Sequence, residues 1–320
     1  MTSDPVTVEL DAQYRQLREE CGLLDRSERG KLRVTGPDAA DFLQGQVTND
    51  VEALAPGQGC YAALLDRKGH IQADMRILRR SAPDGDFWID TEPAASGVVR
   101  HHLQTYKIGR DVEVEDVGAE HAILALIGPA TGAVAGTPPL TAGQNETAAV
   151  AGVECLVVGT EDGVDLIAAS GDSARLRDGL IEAGAAAVDP AAAEILRIEA
   201  GRPRFGADMG PESMPAEAGI VDAAVSFTKG CYIGQEPVAR LHHRGRPNRH
   251  LRGLLLGAPV EPGTALRLGE KEVGRVGSAC VSPAHGPIAL AIVRREAEPG
   301  AKLAVGEDGV TARVADLPFG

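Results

Sequence analysis

From residue 250 onward the chain breaks into short apolar runs at strand spacing: "HLRGLLLG", "ALRLG", "EVGRVGSACVS", "IALAIVRRE", "AKLAVG" and "VTARVADLP", separated by turns rich in glycine and proline. Runs this short cannot pack as helices, but they suit a small antiparallel barrel or sandwich. Upstream the texture is mixed. "AQYRQLREECG" (12–22) predicts a short amphipathic helix, and "KLRVTG" (31–36) a strand with alternating apolar residues. "GPDAADFLQGQ" predicts a helix with Pro37 at its entry and Phe42 and Leu43 facing a core. The clearest hairpin is "GCYAALLDRKGHIQADMRILRR" (59–80), two β-prone runs around "DRKG". A second strand pair surrounds "TEDG" in 154–170, and helices are predicted over 92–106, 172–184 and 190–200. The segment 129–150, rich in Gly, Pro, Ala and Thr, reads as a linker or surface excursion. The fold class is therefore α+β. At 320 residues the chain exceeds a single core, so two or three domains are expected.

Charge and cysteine content narrow the function classes. A net charge of −14 argues against general nucleic-acid binding, which needs a cationic surface. No apolar run reaches the ~18 residues of a membrane helix. The acidic, polar start has neither a signal peptide's cationic and apolar parts nor a transit peptide's arginine bias, so a cytoplasmic protein is expected. Cys21, Cys60, Cys155, Cys231 and Cys280 are scattered, with no CxxC and no cysteine–histidine finger spacing. A disulfide framework and a self-contained zinc site are both disfavoured, and no metal ligands are assigned.

Five segments carry chemistry-bearing residues. In "FLQGQVTNDV" (42–51) a helix runs into Gln44, Gln46, Asn49 and Asp50, which form either a solvated turn or a loop that hydrogen-bonds a ligand. Asp74 alternates with apolar neighbours in "GHIQADMRIL", so it lies on the strand's polar face or reaches a ligand amine or an arginine. In "ILRIEAGRPRFGADM" Arg197 and Glu199 are two apart and cannot share a helix face, so one points somewhere less solvated. Glu199 is the better ligand candidate, because a carboxylate accepts paired N–H bonds. "TKGCYIGQEP" (228–237) places Lys229 two residues before Cys231 between two glycines. It is a turn with an inert thiol, or a loop in which the lysine favours the thiolate. Finally, "ARLHHRGRPNRHLRG" concentrates Arg240, Arg244, Arg246, Arg249 and Arg252, either as a solvated basic loop or as a dock for an anion.

In order, "GKLRVTGPDAADFLQGQVTNDV", "YAALLDRKGHIQADMRIL", "LRIEAGRPRFGADM" with "MPAEAGI", and "KGCYIGQE" resemble the family that includes the aminomethyltransferase (T protein) of the glycine cleavage system and the folate-binding protein YgfZ. The resemblance implies three domains around a central folate cavity. They are an N-terminal α+β folate-binding domain over 1–120, completed by part of 190–248, a second α+β domain over 121–190, and a barrel over 249–320. It implies tetrahydrofolate or a derivative, polyglutamylated forms included, as the cofactor. Asn49, Asp74, Arg197, Glu199, Lys229, Tyr232 and Arg244 would bind it, with Cys231 and Lys229 as the functional pair. Glu199 sits where the T protein's glutamate contacts the pterin. Asp74 matches one of that protein's paired aspartates, and Ala73 occupies the other position. "KGCYIGQE" looks like the YgfZ branch, whose eukaryotic relatives assist iron–sulfur protein assembly. The expectation is thus an accessory protein, not a classical enzyme. It would support assembly or repair of iron–sulfur proteins, including tRNA-modifying radical enzymes, with client proteins sharing a transient cluster at Cys231. The alternative is a tetrahydrofolate-dependent aminomethyltransferase or demethylating enzyme, which Ala73 counts against.

Overall fold

The computed structural model describes residues 5–81 and 86–320. It divides into two compact units, one of Met1–Leu64, Ala73–Ala193 and Thr228–Tyr232, the other of Leu65–Gln72, Glu194–Phe227 and Ile233–Gly320. The chain begins with α1 (Pro5–Glu19), β1 (Gly22–Asp25), β2 (Gly30–Thr35), α2 (Ala39–Gln46), β3 (Gln58–Leu65), β4 (Ile71–Arg79) and β5 (Phe87–Thr91). It continues through α3 (Pro93–Tyr106), β6 (Glu113–Asp116), β7 (His121–Ile127), α4 (Thr131–Ala135), β8 (Asn145–Val150), β9 (Val153–Gly159) and β10 (Gly163–Ala169). After α5 (Ser173–Glu182), β11 (Ala186–Ala187) and α6 (Pro190–Glu199) come α7 (Val221–Ala224) and α8 (Gln235–Arg244). The remaining strands are β12 (Arg249–Leu256), β13 (Ala265–Leu268), β14 (Lys271–Arg275), β15 (Ala279–Ser282), β16 (Gly286–Arg294), β17 (Lys302–Val305) and β18 (Val310–Ala315). Among the described residues no helix is long and apolar enough to cross a membrane.

The first unit holds two sheets, ordered β3-β4-β5-β2-β6 and β11-β1-β7-β10-β9-β8. They share an apolar layer in which Leu78 and Trp88 meet Ile123, Leu156, Val158 and Ile167. Each such side chain contributes roughly 1.5–3 kcal/mol by leaving water. The sheets are also joined by charge. Arg76 on β4 binds Asp90 on β5 at 2.7 Å and Asp165 on β10 at 2.6 Å, and Arg29 reaches Asp90 at 2.6 Å. Burial opposes the charge on Asp90, but Arg76 and Arg29 outweigh it and hold the carboxyl well below its usual range.

The second unit is dominated by β12–β18. Strand β12 pairs antiparallel with both β18 and β16, so β12-β18-β17-β13-β14-β16 closes into a six-stranded barrel, with β15 added to β16. Its core packs Leu254, Leu266, Val273, Val293, Leu303 and Val314. The period-two patterns written into this region form the strands they predict. The hairpin around "DRKG" and the pair around "TEDG" form as well.

The segment 129–150 is not a linker. It folds as α4, a connecting stretch and β8, which pairs along its whole length with β9 from Asn145↔Val158 to Val150↔Val153. Its Ala and Thr side chains occupy the half-exposed edge of a sheet, where a low-hydrophobicity strand is tolerated.

Candidate functional site

Of the residues that the resemblance implies as folate-binding or functional, Asn49, Asp74, Lys229, Cys231 and Tyr232 fall in the first unit, and hydrogen bonds link Lys229, Asn49 and Asp74 through Tyr61. Helix α2 ends at Gln46, and the turn that follows is held by its own polar side chains. Gln44 Nε2 donates to Asp50 Oδ1 at 2.9 Å, and its Oε1 accepts from Val51 N at 2.8 Å. The buried Thr48 hydroxyl accepts from Ala63 N at 2.9 Å, and Asn49 Nδ2 donates to the Tyr61 carbonyl at 2.8 Å. These bonds give Gln44 and Asn49 a role in shaping the turn.

Lys229 closes the same turn from the other end of the sequence. Its Nζ donates to the carbonyls of Gln44 (2.5 Å), Val47 (2.7 Å) and Asn49 (2.9 Å). A helix C-terminus leaves its last carbonyls without intrahelical partners, and an ammonium has three N–H groups to offer them. Burial pulls the Lys229 pKa down to about 8, with Asp50 and Cys60 acting in the opposite sense. At neutral pH the ammonium persists, packed 5.1 Å from the centroid of the Tyr232 ring. The lysine's donors are committed to the carbonyls, while the Cys231 thiol is exposed. The Tyr232 hydroxyl is buried and has no hydrogen-bond partner among the described residues.

Asp74 is buried, not on a solvated polar face, because both faces of β4 are covered. Its Oδ2 accepts from the Tyr61 hydroxyl at 2.7 Å, whereas Oδ1 is buried without a partner. Burial lifts the Asp74 pKa to about 6, partly offset by the Tyr61 hydrogen bond and Arg29. Tyr61 itself is pushed well above its usual range by burial and by the Asp74 charge, so it remains the donor. Lys229, Asn49, Tyr61 and Asp74 thus form one linked run of contacts. Tyr61 is its unforeseen member. Its place within the hairpin was legible, but its partner depends on strand register.

The second unit separates Arg197 from Glu199, as their spacing requires. Arg197 binds Glu194 at 2.7 Å, Asp208 at 2.8 Å and the Ser278 hydroxyl at 2.5 Å. All three of its guanidinium nitrogens donate within this network. Glu199, 6% exposed, accepts from the Ser282 hydroxyl at 2.5 Å, and its carbonyl accepts from Phe319 N. Sequence reading marked neither Asp208 nor Ser282, since both act across long separations.

Glycine explains how the motif turns into α8. Gly234 lies at φ +82°, and a Cβ there would sit 2.4 Å from the Asp66 carbonyl oxygen. The hairpin turn 66–69 therefore packs directly on the start of α8. The basic segment that follows divides in two. Arg249 pairs with Glu217 at 2.8 Å and Arg252 approaches Asp316 at 3.6 Å, whereas Arg240, Arg244 and Arg246 stay exposed.

Residues 4–229 match the GCVT N-terminal domain, and 249–319 match the glycine cleavage T-protein C-terminal barrel domain. An aminomethyltransferase of Rubrobacter xylanophilus is 32% identical over 97% of this chain and 86% of its own length. One from Symbiobacterium thermophilum is 32% identical over 96% and 88%, and a putative chloroplastic transferase of Arabidopsis thaliana 28% over 93% and 71%. The solved aminomethyltransferase of the glycine cleavage system from Bartonella henselae shares the fold, with a TM-score of 0.87, 24% identity and coverage of 97% and 89%. These findings overturn the expected accessory role in iron–sulfur protein assembly, since the similar proteins are named transferases along nearly the whole chain. The mixed α/β architecture and the closed barrel agree with both domain matches, and the family's aminomethyltransferases use tetrahydrofolate as their one-carbon carrier. The chain belongs to the glycine cleavage T-protein family.

Proposed function

We propose that this chain is a tetrahydrofolate-dependent aminomethyltransferase. The observation that carries the reading is Asp74: a buried carboxyl with one oxygen held by Tyr61 and the other without a partner. An unsatisfied buried acceptor costs about 1–3 kcal/mol, which a ligand N–H removes on binding. The residues present fit a reduced folate. In the first unit the buried Tyr232 hydroxyl offers a polar contact beside that of Asp74. In the second unit Glu199, taken by itself, is a buried carboxylate of the type suited to the amidine-like edge of a pterin. A bound tetrahydrofolate supplies the amine that accepts the one-carbon unit.

Asp74 supplies the proton acceptor. With a pKa near 6 it is ionised at neutral pH yet basic enough to take a proton from an amine, and Tyr61 fixes its orientation. Where the resemblance carries paired aspartates, Ala73 leaves a single carboxylate, and Tyr61 is its neighbour instead. The branch within the family is a separate proposal, supported by "KGCYIGQE" alone: the folate-binding YgfZ type. The transferase reading does not depend on it.

The test has two parts. Calorimetric titration with tetrahydrofolate should show binding that Glu199→Ala abolishes. Incubation with tetrahydrofolate and an aminomethylated lipoyl carrier protein should release ammonia, and Asp74→Asn should slow that release by about 100-fold or more. Folate binding without ammonia release from the wild-type protein would sink the transferase.

A further inference from the structure

Glu92 stands between Asp74 and Arg29 in the five-stranded sheet of the first unit. In the β2–β5 register Gly30 faces Thr91, and the next residues along are Arg29 and Glu92. In the β4–β5 register Arg76 faces Asp90, and two residues further on come Asp74 and Glu92. Hydrogen bonds support both continuations. Arg29 Nη1 donates to Glu92 Oε1, and the Thr91 hydroxyl donates to the Asp74 carbonyl at 2.5 Å. The row across the sheet is therefore Asp74, Glu92, Arg29.

The buried guanidinium groups here each serve two carboxylates. Arg76 holds Asp90 and Asp165, and Arg29 holds Asp90 and Glu92. Among the described residues Asp74 enters no ion pair, and its Oδ1 is buried without a partner. A guanidinium beside a free carboxylate oxygen ordinarily pairs with it, because charge-assisted contacts of this kind are the strong ones. Arg29 does not. Its backbone is fixed by the buried Lys31, whose Nζ donates to the carbonyls of Ser27 at 2.8 Å and Arg29 at 2.9 Å. Only the guanidinium is left to choose a partner, and Glu92 takes it. The Glu92 carbonyl starts α3 by accepting from Ala95 N and Ser96 N, but its side chain makes no capping bond. The helix therefore does not account for the carboxylate. The ionisable groups around Asp74 are Tyr61 on β3, Arg76 on β4, Asp90 and Glu92 on the β5 side, and Arg29 and Lys31 on the β2 side. Of these, Arg29 favours the charged form of Asp74 and Glu92 opposes it.

We propose that Glu92 is a positioning residue for Asp74: it occupies the Arg29 guanidinium, which would otherwise turn to the unpartnered Asp74 oxygen, and so keeps that oxygen open to a ligand N–H. The role rests on the reading of Asp74 as the proton acceptor. Without Glu92, Arg29 is one carboxylate short, and Asp74 fills the place. An ion pair then quenches the base.

The test reads the ionisation of Asp74 directly, by carbon NMR of protein labelled at its aspartate carboxyls, with the Asp74 signal assigned through Asp74→Asn. The wild-type midpoint should lie near pH 6. Glu92→Ala frees Arg29 and should lower the midpoint by about one to two units. Glu92→Gln keeps an oxygen for Arg29 and removes only the charge, so the midpoint should fall by about half a unit or less. Removing the cation as well, in Arg29→Met/Glu92→Ala, should return the midpoint to pH 6 or above, with Asp90 still paired to Arg76. Ammonia release from the aminomethylated carrier should slow about tenfold in Glu92→Ala and much less in Glu92→Gln. Equal shifts in the alanine and glutamine variants, or an unmoved midpoint in Glu92→Ala, overturn the proposal. If circular dichroism shows the double variant unfolded, the alanine–glutamine comparison still decides it. A wild-type protein that releases no ammonia removes the proposed function, while the titration still decides what Glu92 does.

Discussion

The Tyr61 hydroxyl donates to Asp74 Oδ2 at 2.7 Å, and the opposite oxygen of the same carboxylate is buried without a partner. One half of the group is thereby fixed and the other left available. That asymmetry sets the first two tests.

The acid limb of the pH profile of kcat/KM should fall near pH 6, the value to which burial raises Asp74. The Tyr61 bond favours the ionised form, so Tyr61→Phe should move the limb to higher pH, by about one unit. A limb that stays in place would mean that another group controls it.

Stability should follow the same carboxyl with the opposite trend. Its folded pKa of about 6 lies above the ordinary aspartate value of 3.8, so the folded state holds the proton more tightly. The wild-type protein therefore loses stability as pH rises from about 4 to 6, reaching a cost of up to ~3 kcal/mol above that window. Asp74→Asn has no such charge to bury, and urea unfolding should show it gaining on the wild type between pH 4 and pH 8. A pH-independent difference would show that the carboxyl titrates alike in both states.

Lys229→Met keeps the unbranched stem, one atom shorter, and removes all three donors from the end of α2. Chemical denaturation should show a loss of about 2–4 kcal/mol, since three carbonyls are left to find other partners. Lys229→Arg should not restore it, because a planar guanidinium cannot reproduce the compact three-way geometry. Wild-type stability in the methionine variant would mean that water satisfies the turn without the lysine.

Among the five thiols Cys231 should be alkylated first. It is exposed, whereas Cys21 and Cys155 are buried with pKa values lifted to about 11, and burial raises half-buried Cys60 and Cys280 to about 12. Limited iodoacetamide treatment followed by peptide mass spectrometry should find Cys231 carrying nearly all the label. Equal labelling of Cys60 would show that its surroundings open in solution.

The strands were legible where period and turn chemistry agree, as in the barrel and in the hairpin around "DRKG". Segment 129–150 was misread because an edge strand of Ala and Thr carries little hydrophobic signal, and its pairing with β9 is a tertiary fact. Asp74 was placed on a strand correctly, but alternation cannot say whether the second face of that strand is covered. The acceptors of Lys229 were not legible, because they lie 180 to 185 residues earlier in the sequence. The family was readable from motifs in order along the chain. The function was not, because "KGCYIGQE" is a local motif, whereas the similarity to named aminomethyltransferases runs along nearly the whole chain.

The bond from Lys229 to Val47 spans 182 residues. At a synthesis rate of about 5–20 residues per second, the end of α2 emerges roughly 10 to 40 s before the side chain that caps it. The first unit of this protein therefore cannot finish folding in the order in which it is made. Its early turn stays open, with hydrated carbonyls, until translation has passed residue 229, by which point the second unit's Leu65–Gln72 and Glu194–Phe227 have already been made. A ribosome stalled short of that point would hold a sheet already formed around an unsecured helix end.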